Sequence, residues 1–111
     1  EVEAFPGPSL IIAYSHCIAH GYDMKHGLDQ QSLAVKTGYW PLFRFNPLKE
    51  QGQRFVIDSK QPNVELSEFL YNENRFNTIK ATMPEKAAEF YQMEVNEIKR
   101  RCEKLEALKN L

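Results

Sequence analysis

The only side chains in this chain whose types and spacing suit chemistry as a group are those of His16-Cys17-Ile18-Ala19-His20, with His26 a little further on. A thiol between two imidazoles admits three chemistries. Zinc is one, although a structural zinc wants four ligands and only a single thiolate is local. A Cys–His nucleophile pair built across a turn is the second, but no third group that would orient the histidine can be picked out. The third is one thiolate of an iron–sulfur cluster, which works only if the remaining cysteines lie outside these residues. Against all three stands a plainer reading, a buried cysteine packed beside two satisfied histidines.

Something must position these residues, and the preceding stretch offers a candidate. Leu10-Ile-Ile-Ala13, bounded by Pro6-Gly7-Pro8 and later by Gly21, is too short for a helix and reads as a buried strand. Cys17 would then sit just past the carboxyl end of that strand, the edge of an open α/β sheet where ligands collect. A strand buried on both faces needs neighbours, because a parallel sheet cannot be built from one strand. Glu1 to Phe5, ahead of the prolines, reads as the last turn of a helix.

Downstream, Asp23 to Thr37 reads as a helix with a possible interruption at Gly27. Met24, Leu28, Gln31, Ser32 and Val35 lie at helical spacing, while Lys25, Asp29, Gln30 and Lys36 are expected outside. Gly38 is its stop. Leu42–Phe45 and Arg54–Ile57 read as an antiparallel hairpin with a long loop, and Trp40 before it as a packing anchor. From about residue 63 the chain turns helical. Leu66, Phe69 and Leu70 give a first apolar face, and Phe76 and Ile79 continue it after a break near Asn72. Thr82-Met-Pro-Glu85 reads as a capping box with proline in the first turn, opening a final helix of roughly 25 residues. Tyr91, Val95, Ile98, Cys102 and Leu105 form its seam. Cys102 there reads as a small buried hydrophobe, and Lys99, Arg100 and Arg101 as part of a solvated face.

Composition narrows the function classes. The 111 residues suffice for one domain, and a hydrophobic share of 42% with 26% charged is ordinary for a globular protein. A formal net charge of −1 gives no global pull toward nucleic acid or an anionic membrane, so neither is expected as a partner. No apolar run approaches the ~20 residues of a membrane span. Two widely separated cysteines make no disulfide framework and suit a reducing, cytoplasmic compartment. No phosphate-cradling glycine loop and no serine nucleophile elbow is present, and Asp58, Glu65 and Glu68 sit where carboxylates serve a loop or a helix start. A start at Glu1, running at once into a turn and an apolar run, suggests a fragment of something longer.

Two strings of residues then carry a resemblance. Gly7-Pro-Ser-Leu-Ile-Ile-Ala-Tyr-Ser-His-Cys-Ile-Ala-His-Gly21 and Gln31-Ser-Leu-Ala-Val-Lys-Thr-Gly-Tyr-Trp-Pro-Leu-Phe-Arg-Phe-Asn-Pro47 closely resemble the C-terminal part of the pyruvate:ferredoxin (flavodoxin) oxidoreductases. Asp58-Ser-Lys60, Glu68-Phe-Leu70, Arg75-Phe76 and the proline-initiated helix extend the likeness over nearly the whole chain. The resemblance implies a large, homodimeric, cytoplasmic enzyme that cleaves pyruvate with coenzyme A. Thiamine diphosphate and Mg2+ would serve the carbon chemistry, and [4Fe-4S] clusters would pass electrons to ferredoxin or flavodoxin.

On that resemblance the fold class is a partial α/β. Residues 1–111 would be one segment of a thiamine-diphosphate-binding parallel sheet, with one buried strand and a short hairpin in 1–62 and C-terminal helices in 63–111. Cys17 would be the last ligand of the cluster nearest the thiamine, with Ile18 and His20 beside it as cofactor-binding neighbours. The cysteines for the other ligands and the Gly-Asp-Gly motif for magnesium are absent from these residues. The piece alone is therefore expected to hold neither cofactor fully and to catalyse nothing, its partner being the remainder of the enzyme. The alternative from a different class is a non-catalytic helical assembly module without metal.

Overall fold

The final helix is the longest element and the others are laid along it. In the computed structural model, which describes residues 1–111, the order is α1 (Gly27–Lys36), β1 (Phe43–Phe45), β2 (Phe55–Ile57), α2 (Leu66–Leu70), α3 (Asn74–Thr82) and α4 (Pro84–Leu108). Single 3-10 turns, Ile18–His20 and Met24–His26, precede α1. The architecture is mixed α/β, with one two-stranded antiparallel sheet in which Phe43 faces Ile57 and Phe45 faces Phe55. The core is small: Ala34, Leu66, Phe69, Leu70 and Ile98, where α1, α2 and α4 meet. Phe69 is fully buried at its centre, with the Tyr39 ring 4.6 Å away, centroid to centroid.

The seam on α4 forms as its heptad-like spacing predicts. Ile98 and Leu105 are buried, while Tyr91, Val95 and Cys102 are partly so and pack against the core. Pro84 occupies the first turn of α4, where a missing amide costs no hydrogen bond. The break near Asn72 separates α2 from α3, and Gly38 ends α1 with φ +77°. Trp40 is half-buried with the Tyr14 ring 5.4 Å away, so it anchors packing.

Five expectations are corrected. Leu10–Ala13 is not a buried strand. It runs without ladder partners, and Leu10, Ile11 and Ile12 are 83%, 71% and 69% exposed. The only two strands pair with each other, so the stretch finds no edge to join and no second layer to cover it. Glu1–Phe5 forms turns rather than a helix end. Thr82 does not cap α4 but finishes α3, its hydroxyl donating to the Thr78 carbonyl at 2.8 Å. Only Met83 separates the two helices, and a residue still in helical conformation bonds back one turn instead of forward.

The inward stripe of α1 is Gln30, Ala34 and then Thr37, while Leu28 is exposed. The helix is rotated because Gln30 has a polar task inside, described below. Arg101, expected in solvent, is half-buried and donates from Nη1 to the Tyr39 carbonyl at 2.9 Å, tying α4 to the turn after α1.

Candidate functional site

Cys17 is a free, exposed thiol on extended backbone (φ −145°, ψ 141°) that opens the 3-10 turn Ile18–His20. The plainer reading of a buried cysteine therefore does not hold. Ile18 is exposed beside it. The turn closes through His20 N–H donating to the Cys17 carbonyl and Gly21 N–H donating to that of Ile18, both at 3.0 Å. Gly21 sits at φ +75°, and a Cβ there would come within 2.7 Å of the Asn74 Cβ. Only glycine fits so close an approach with a left-handed backbone.

The two histidines flanking Cys17 are turned to different partners. His16 Nδ1 lies 3.0 Å from Gln31 Oε1, its ring stacked over Gly27 so closely that a Cβ would meet it at 2.6 Å. Gln31 Nε2 in turn donates to the Tyr14 carbonyl at 3.0 Å. His20 points the other way, its Nδ1 3.8 Å from Oε1 of Glu73 and without a hydrogen bond. His26 is exposed and lies 3.4 Å from Asp29. The sequence places these three imidazoles near one thiol; the fold disperses them, and no group of three or more His, Cys, Asp or Glu is placed to hold a metal ion. A zinc site made by Cys17, His16 and His20 does not fit this arrangement.

Behind the turn lies a polar knot that sequence reasoning missed. Glu73 is fully buried, a costly place for a carboxylate unless it is bonded. Its Oε1 accepts from Gln30 Nε2 at 3.1 Å, and its Oε2 accepts a short bond from Arg75 Nε. Gln30 also donates to the Phe69 carbonyl at 2.9 Å and accepts from Asn72 Nδ2 at 3.2 Å, which explains why it faces inward.

The charge of Glu73 reaches its neighbours. Burial first, and the Glu73 carboxylate second, push the Tyr14 phenol above its ordinary pKa. Tyr22, whose hydroxyl is buried without a partner, is raised by burial, then by Glu73 and Cys17. Burial works against the charge on Arg75, but the hydrogen bond and charge of Glu73 outweigh it and hold the guanidinium protonated. The available signal was the pairing of opposite charges, Glu73 and Arg75, at the start of α3, where Glu73 is the extended N-cap residue.

The donor set thus fits one corner of an iron–sulfur cluster and no more. Cys17 is a soft, accessible thiol, and the unpartnered His20 Nδ1 and Tyr22 hydroxyl lie close by in the fold. The chain's other thiol, Cys102, is on the α4 seam against the core and is taken up by packing.

No family model matches the chain. Among curated proteins it is 52% identical over 89 residues to the pyruvate-flavodoxin oxidoreductase of Rhodospirillum rubrum, covering 79% of this chain and 8% of that protein. It is 40% identical over 110 residues to the pyruvate:ferredoxin oxidoreductase of Moorella thermoacetica, covering 97% of the chain and 9% of that protein. The pyruvate dehydrogenase [NADP(+)] of Cryptosporidium parvum is 44% identical across 79% of the chain, which covers 5% of it. The chain thus spans less than a tenth of the length of the relatives it matches.

Proposed function

We propose, from the premise that this chain corresponds to a segment of the pyruvate-flavodoxin/ferredoxin oxidoreductases, that its work is to complete a cofactor domain built mostly by the rest of such an enzyme. In this reading Cys17 supplies one thiolate to a [4Fe-4S] cluster. Leu10–Ala13 joins the thiamine-diphosphate-binding parallel sheet, and the helices from Leu66 onward dock the segment at the C-terminal end of the enzyme. The parent enzyme would be a cytoplasmic homodimer that oxidatively cleaves pyruvate with coenzyme A, giving acetyl-CoA and carbon dioxide and passing electrons to ferredoxin or flavodoxin. When bound, thiamine diphosphate with Mg2+ supplies the carbanion chemistry and the clusters supply one-electron transfer.

The observation that carries the reading is an exposed thiol four residues beyond an exposed apolar stretch. Leu10, Ile11 and Ile12 present apolar surface that a partner would cover, and Cys17, at the start of the turn Ile18–His20, is exposed as well. Ile18 adds apolar surface that would exclude water from a cluster's edge, and solvent exposure is one of the levers on cluster potential. His20 would lie behind the ligand with a free ring nitrogen for a hydrogen bond. The relatives' names carry three acceptors, flavodoxin, ferredoxin and NADP(+), and in this reading acceptor choice is left to residues elsewhere in the enzyme.

The test is iron and acid-labile sulfide content, with the visible spectrum, of the 111-residue chain reconstituted without oxygen. The reading expects no cluster, since three of its four ligands are outside. A stoichiometric cluster would show that copies of the chain pool Cys17 and would overturn it.

A further inference from the structure

The exposed thiol of Cys17 is flanked on both sides by backbone and side-chain contacts, and on each side one or more of these reach a short segment, Glu73-Asn74-Arg75, while the others go to Gln31. On the amino-terminal side, the Tyr14 hydroxyl accepts from Arg75 Nη2 at 3.4 Å. The Tyr14 carbonyl and the His16 ring are both bound by Gln31. On the carboxyl-terminal side, the Gly21 carbonyl accepts from Asn74 N–H at 3.0 Å, and the His20 ring stands 3.8 Å from the Glu73 carboxylate. Arg75 and Glu73 are bonded to each other, so the two anchors share one joint.

That joint is fixed more firmly than its surface neighbours. The Glu73 side chain is fully buried with Gln30 and Arg75 as donors, and its backbone is the N-cap of α3, its carbonyl accepting from Phe76 and Asn77 at 3.1 Å. Its side chain does not cap the helix. A carboxylate in that position has no need to be buried for the sake of α3. What its burial does accomplish is to orient Arg75 toward Tyr14 and to set a negative charge under His20.

We infer that Glu73 is the positioning residue for Cys17: through Arg75 and Tyr14 on one side and His20 and Asn74 on the other, it fixes where the thiolate is presented. The inference rests on the reading of Cys17 as a cluster ligand. Glu73 touches no cofactor in this role and acts only through the residues flanking Cys17, Tyr14 to Gly21. Groups that hold a ligand from behind orient it and tune the metal it binds.

The test uses a full-length pyruvate-flavodoxin oxidoreductase carrying this segment, read by electron paramagnetic resonance of the reduced clusters and by redox titration. Cys17→Ala removes one cluster signal. Glu73→Asp and Tyr14→Phe leave the net charge unchanged and so report position rather than field. Both retain the iron but shift the line shape and midpoint potential of that same cluster, Glu73→Asp by more. Wild-type spectra and potentials in both variants, with the signal still lost in Cys17→Ala, would overturn the positioning role and leave the ligand reading standing. All signals retained in Cys17→Ala would overturn both. Should Glu73→Asp fail to assemble, Glu73→Gln, which keeps the length of the side chain, takes its place beside Tyr14→Phe, and wild-type spectra and potentials in both overturn the positioning role.

Discussion

Leu70 and Leu10 are the same side chain in opposite situations. The first is 5% exposed, closed in by α1, α2 and α4, and the second is 83% exposed on a stretch with no strand partner. Burying one such side chain contributes about 1.5–3 kcal/mol. The helical body from Leu66 onward draws on that term, and the strap carrying Leu10, Ile11 and Ile12 does not. Polar tethers through Gln31, Arg75 and Asn74 hold the strap instead. Apolar surface left uncovered next to a thiol held in place is what a segment made to be completed by other residues should look like.

The contrast can be broken from the helical side first. Phe69→Ala empties the centre of the core and should cost about 3–5 kcal/mol, read as a lowered urea midpoint of the far-ultraviolet signal. Gln30→Leu leaves the buried Glu73 carboxylate short of a donor, and should cost about 1–3 kcal/mol in the same assay. Gly21→Ala forces a side chain into φ +75° against Asn74. Left-handed strain of about 1–2 kcal/mol is expected, with faster amide exchange over residues 17–21 while the core amides keep their protection.

Weaker still is the exposed pairing of Arg44 with Asp58, whose carboxyl Arg44 holds below the ordinary range. A depressed carboxyl contributes stability that is full above its unfolded pKa and is lost as pH falls through the folded value. Acid titration followed by NMR should therefore show the β1–β2 end loosening only below about pH 4. Smallest is Ile12→Ser, which should leave the unfolding midpoint of the isolated chain within about 0.5 kcal/mol of its original value. A large loss there would mean that the strap is packed after all.

How far the sequence reveals this arrangement follows the same division. Tyr91, Ile98 and Leu105 repeat on a helix that meets its partner within the chain, and the hairpin's two strands pair with each other, so both were legible. Leu10–Ala13 has the composition of a buried strand, but composition cannot supply the strands that would pair with it. Thr82-x-x-Glu85 has the residues of a cap, yet capping depends on Thr82 leaving helical conformation, which the one-residue link to α3 prevents. Cys17 was legible as the thiol to watch. Gln30 and Glu73 were not, because each looks like an ordinary surface residue until a fold brings α1 against the break before α3 and makes the pair mutually satisfying.

The central claim is that Cys17 serves a cluster assembled mostly from residues elsewhere. Iron content and reduced-cluster resonance of a full-length pyruvate-flavodoxin oxidoreductase carrying this segment, compared between Cys17→Ala and Cys102→Ala, test it most directly. Loss of one cluster is expected in the first and none in the second. Full iron and an unchanged spectrum in Cys17→Ala would contradict it.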